Sequence, residues 1–265
     1  MKNKTASDYL AFLTLIATSL TTVPSLAHFQ MIIPSDDMVQ QGERRELDLD
    51  VRFSHPFENT GMPMAPPVRF GVFSNGAQQD LSSLLKRAQS KDHTNQSLET
   101  FTARYAIKKP GDHIFFVEPQ PYWEPSEEAF IVHYTKVVVH TFGLEQGWDT
   151  ELGLKSEIVP LTRPYGLWAG NVFQGIVKVN GKPAPGSEVE IEYYNAQEKV
   201  KAPADPMITQ VIRADSNGVF SYAIPWDGWW GFAALHQDAQ TMQKDGKAYP
   251  VEIGAVIWVR AYPKP

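Results

Sequence analysis

Phe130–Phe142 reads FIVHYTKVVVHTF, the longest run in the chain that is rich in β-branched and aromatic residues. Such side chains pack well on a pleated surface, and Gly143 closes the run, so it predicts a long strand. On both sides of it the same grammar recurs. Glu46–Phe53 (ELDLDVRF) alternates polar and apolar residues, and Val68–Phe73, Ala103–Ile107 and His113–Glu118 are shorter runs of the same kind. Beyond Gly170 come Phe173–Val179, Glu188–Tyr194, Gln210–Ala214, Gly218–Ile224, Trp230–Leu235 and Ala255–Tyr262, separated by turns such as Asn180-Gly181-Lys182-Pro183. Helical periodicity is absent from this part of the chain, except that Leu81–Ala88 reads as a short helical turn. Regular short strands with turn signals predict an all-β chain made of β-sandwiches.

The start of the chain has a different character. A basic beginning (Lys2, Lys4) precedes an apolar run from Leu10 to Leu20, followed by Ser25-Leu26-Ala27. Small residues three positions and one position before a cut make the layout of a secretory signal peptide, residues 1–27, cleaved after Ala27. The apolar run is too short and too rich in Ser and Thr to span a bilayer. The expected organisation is then a β-sandwich over 28–159 and a second over 160–265. The Gly-, Pro- and Trp-containing stretch between Gly143 and Gly170 reads as an ordered connector, since it is too apolar for a loose linker.

Composition excludes several functions. The chain carries a formal charge of −6, and loss of Lys2, Lys4 and Asp8 makes the remainder one unit more acidic. An acidic surface is a poor match for nucleic-acid phosphates. Without cysteine there are no disulfides, no thiolate metal sites and no thiol catalysis. P-loop, Rossmann, Gly-x-Ser-x-Gly and zincin patterns are all missing.

Cleavage after Ala27 would give His28 a free amine. One residue would then offer two nitrogens, the α-amine and Nδ1, which suit a borderline ion such as copper(II), nickel(II) or cobalt(II). His55, at the end of the alternating Glu46–Phe53 strand and just before Pro56, is the second candidate ligand. Glu58, Met62 and Met64 follow it in one loop (FSHPFENTGMPMAPP). His133 is the third. It cannot share an ion with His140, because seven residues of strand place the two on opposite faces and roughly 23 Å apart. His113 reads as a turn residue, His93 as exposed, and His236 as a residue that could approach the other domain. The aromatic clusters Pro121–Pro125 and Trp226–Trp230 read as packing groups.

Two resemblances sharpen these expectations. GKPAPGSEVEIEYYN (181–195) followed by ADSNGVFSYAIP (214–225) resembles the prealbumin-like or carboxypeptidase-regulatory-like sandwich, which says little about function. AHFQMIIPSDD, FSHPFENTGMPM, PGDHIFFVEPQPYWEP, FIVHYTKVVV, EIVPLTRPYGLWAGNVFQGIV and GWWGFAALH together resemble a bacterial exported family of unknown function associated with periplasmic nickel and cobalt uptake. The resemblance implies a non-enzymatic periplasmic protein that binds nickel or cobalt through His28, His55 and His133, with Glu58 as an oxygen ligand, and that serves a membrane metal transporter. A periplasmic copper carrier and a copper mono-oxygenase built on an N-terminal His chelate are the alternatives.

Overall fold

Val251–Tyr262 (VEIGAVIWVRAY) pairs in parallel with Ala129–Thr141 from Phe130↔Val251 to Val137↔Trp258, and antiparallel with Gly228–Gln237 on its other side. The strand is apolar on both faces because each face is covered. Val256 and Trp258 enter one hydrophobic core, and Ala255, Ile257, Val259 and Ala261 enter another. The computed structural model describes residues 28–91 and 97–265. The expected signal segment and its cleavage point at residues 1–27, and His93, lie outside the described residues.

The central sheet has eleven strands drawn from both sides of residue 160. A smaller sheet packs on one face. Its order is Phe29–Pro34, Glu46–His55, Ser97–Ala106, Lys86–Lys91, with Thr60–Met62 beside Glu46–His55. A third sheet, built on Val172–Val179, covers the other face of the second half. The chain is therefore nearly all β, and among the described residues helix is confined to two short 3-10 turns. One of these, Ser82–Leu84, holds part of the expected helical turn, and Lys86–Lys91 is a strand. Among the described residues the two largest hydrophobic cores lie on opposite faces of the central sheet, and that one hydrogen-bonded sheet runs past both.

The connector is ordered as expected. Glu157 accepts the backbone amides of Leu152, Gly153 and Leu154 and pairs with Lys136 Nζ at 2.7 Å, and both charged side chains are out of solvent. A buried ion pair persists only when its remaining hydrogen-bonding capacity is met, and these amides meet it.

Candidate metal centre

Two alternations of inward-facing residues end in histidine. In Glu46–His55, Leu47, Leu49, Val51 and Phe53 point into the first core, so the period of two turns His55 the same way. In Ala129–Thr141, Ile131, Val137 and Val139 point into that core from the opposite sheet, and His133 shares their face. The antiparallel ladder of Phe29–Pro34 begins at Phe29↔Ser54, so His28 stands opposite His55 one step beyond it. The three histidines thus meet at one rim of the sandwich.

The first strand is held in register by its own carbonyl. Gln30 O accepts from Trp258 Nε1 at 3.1 Å and from Thr135 Oγ1 at 3.2 Å. The rings of His28 and His55 lie 4.6 Å apart, centre to centre, and Phe53 touches both His28 (5.7 Å) and His133 (6.1 Å). All three histidines are buried.

Two carboxylates anchor the imidazoles. His28 Nε2 donates to Glu124 Oε2, and His133 Nε2 donates to Glu252 Oε1, each at 3.0 Å. A carboxylate can only accept, so each Nε2 carries its proton, and in the neutral ring the lone pair is left on Nδ1. Such a bond from the far nitrogen is the usual support of a metal-ligating histidine. His133 Nδ1 is buried and has no hydrogen-bond partner. Burial, with the neighbouring His55 and His133 adding to it, holds the His28 imidazole at about 4, Glu124 pulling the other way. His28 is therefore neutral near pH 7, the state a metal needs. Burial pushes Glu252 up, but the hydrogen bond and charge of His133 outweigh it and hold the carboxyl below its usual range. Burial also raises Glu124, and Ser126 and His28 more than offset it.

Glu58 lies in the loop after His55, and its charge helps to raise Glu192. That loop is fastened to the second half of the chain: Glu192 Oε2 accepts Phe57 N at 3.2 Å, and Asn195 N donates to Pro56 O at 3.1 Å. Met62 is buried in the core, while Met64 Sδ accepts from Gln30 Nε2 at 3.5 Å. Among the described residues no three His, Asp or Glu side chains already surround one point as metal ligands.

The other described histidines, His113, His140 and His236, have partners elsewhere. His140 bonds Asp112 at 2.9 Å and stacks on Tyr165, on the face opposite His133, as the spacing required. His113 bonds Gly111 O within its turn, and His236 contacts Ser187. The aromatic clusters pack: Trp123 lies on Phe130 and Tyr249, and Trp230 on Trp226 and Tyr193. Sequence reasoning missed Glu124 and Glu252. The one signal was that Glu252 is the only acidic residue in the otherwise apolar run VEIGAVIWV.

A family model described as a domain of unknown function, DUF4198, matches residues 25–238. The chain belongs to this family. No curated protein matches it. Among solved structures, the DUF4198 chain is 14% identical to a Pseudomonas aeruginosa protein proposed to bind carbohydrate, over 38% of this chain and 88% of that one, with a TM-score of 0.23. A Bacteroides uniformis protein, also proposed to bind carbohydrate, is 12% identical over 88% of this chain and 97% of that one, TM-score 0.23. Salmonella alpha-2-macroglobulin is 12% identical, TM-score 0.26; 94% of this chain is covered, but only 16% of the macroglobulin. Likenesses this slight carry nothing further to the DUF4198 chain.

Proposed function

We propose that this DUF4198 protein is exported to the periplasm and binds a divalent transition ion, nickel or cobalt, for delivery to a membrane uptake system. The observation that carries the reading is the pairing of His28 and His133 with carboxylates through Nε2, which leaves Nδ1 of both rings for an ion. His55 beside His28 and the amine exposed by cleavage would complete a nitrogen-rich set, which suits borderline ions. Glu124 and Glu252 would offset the ion's charge from one step behind the ligands.

A copper carrier is the second reading, because copper(II) binds the same nitrogens more tightly. Met64 favours it weakly, since it lines the same cavity as His133. The buried setting of His28 speaks against a mono-oxygenase, which needs an open face around its copper.

Titration calorimetry of the protein beginning at His28, with nickel, cobalt and copper(II) in turn, tests the proposal. One ion should bind per chain, and His55→Ala and His133→Ala should each weaken it. Absence of binding for all three ions would end this reading.

A further inference from the structure

On the strand that carries His133, Val132 and Tyr134 point to the other face of the sheet, away from the three histidines. There they join Val251 and Ile253 of the parallel neighbour in the floor of a cleft of about 350 Å³. That volume lies at the lower end of the range for small-molecule sites, about 300–1,000 Å³. An apolar floor with a few polar groups around it is also the usual make-up of such sites.

The charges around this floor are already matched. Asp238 pairs with Lys155, and Glu118, also in the wall, pairs with Arg69. An ion entering the cleft would find no unbalanced charge. Hydrogen-bonding capacity, in contrast, is far from spent. Each carboxylate keeps free lone pairs, and Lys155, whose one bond goes to Asp238, keeps two N–H donors. The side chains of Tyr134, Gln240 and Thr241 line the cleft and make no hydrogen bond to any described residue. Donors and acceptors therefore stand together around an apolar floor. A purely apolar ligand would leave these groups unmet at a cost in affinity. A sugar ring answers both demands: its hydroxyls donate and accept around the edge, and its C–H groups form an apolar face.

We infer that the cleft binds a neutral sugar ring. Its C–H face lies on Val132, Val251 and Ile253, and its hydroxyls meet Glu118, Tyr134, Lys155 and Asp238. The site is separate from the histidines and needs no metal.

Saturation-transfer NMR on the metal-free protein, with glucose, galactose, mannose and N-acetylglucosamine as probes, tests this. At least one should receive saturation and bind with a Kd on the order of millimolar or tighter. Tyr134→Phe removes one hydroxyl and should weaken that sugar about tenfold, the upper worth of one hydrogen bond. Val68 is 56% exposed where it lines the cleft, so Val68→Trp fills the space with little risk to folding and should abolish the signal. Glucuronate, and glucosamine at pH 6, should bind no better than glucose. Methyl glycosides distinguish the end of a glycan chain, which tolerates the methyl group, from a free sugar, which does not; both are the proposed ring. Silence from all four neutral sugars would overturn the inference. So would a signal that survives Val68→Trp, or preference for a charged sugar over its neutral parent. None of these results depends on metal binding at His28, so the two readings fail separately.

Discussion

The ring of His133 lies against the bare backbone of Gly254, its cross-strand partner in the parallel ladder. No side chain larger than hydrogen fits there: a Cβ would stand 2.4 Å from His133 Cδ2. Glu252, two residues earlier on the same face, then reaches His133 Nε2.

Gly254→Ala should therefore push His133 off its seat. Overpacking of this kind costs about 1–3 kcal/mol, read as a lower denaturation midpoint. Combined with His133→Ala, the cost should largely vanish, because the clash loses its second partner. Additive costs in that cycle would show that the contact is not responsible.

Glu252→Gln and Glu124→Gln keep the shape of each side chain but remove its charge. Each should lower metal affinity by about 10–100-fold, the usual effect of losing a carboxylate behind a ligating histidine. Calorimetry on the separate variants checks this, with circular dichroism to show that the sheet survives.

Proton release on metal binding should report the amine and not the His28 ring. The ring, held at about 4, is already deprotonated above pH 6, whereas an α-amine titrates near 8. At pH 7 nickel should displace about one proton, measured by calorimetry in buffers of different ionisation enthalpy. One extra residue before His28 should abolish that release and weaken binding; unchanged affinity would remove the amine from the site.

Burial raises Glu192 to about 8, despite its bonds from Thr209 and the Phe57 amide. The folded state therefore keeps a proton that the unfolded chain loses near 4.5. The sign follows: stability is fullest below about 4.5 and falls as pH rises toward 8. Glu192→Gln mimics the protonated form and should be nearly neutral at pH 4.5 and stabilising by about 4 kcal/mol at pH 8. Denaturation at the two pH values decides it; a gain that does not grow with pH would contradict it.

Much of this was legible in advance. The Glu46–Phe53 alternation marked its strand, and the same parity carried two residues further turns His55 inward. The odd spacing of His133 and His140 separated them, and the structure puts them on opposite faces with different partners. Glu58 was the natural carboxylate by sequence distance, yet Glu124 and Glu252, remote in the chain from His28 and His133, hold those rings.

The sequence by itself marked most of the longer strands and the faces that His55, His133 and His140 take, because side-chain direction has a period of two and is a local property; it missed Phe29–Pro34 and read the start of Lys86–Lys91 as helical. It also marked His28, through the small residues that precede it. Only the tertiary structure decided that these strands lie edge to edge. Pairing between distant segments depends on register and on which sheet covers which face, and no local pattern encodes either. The parallel ladder of Ala129–Thr141 with Val251–Tyr262 joins the two halves in one sheet and brings Glu252 under His133. The antiparallel ladder of Phe29–Pro34 with Glu46–His55 sets His28 opposite His55.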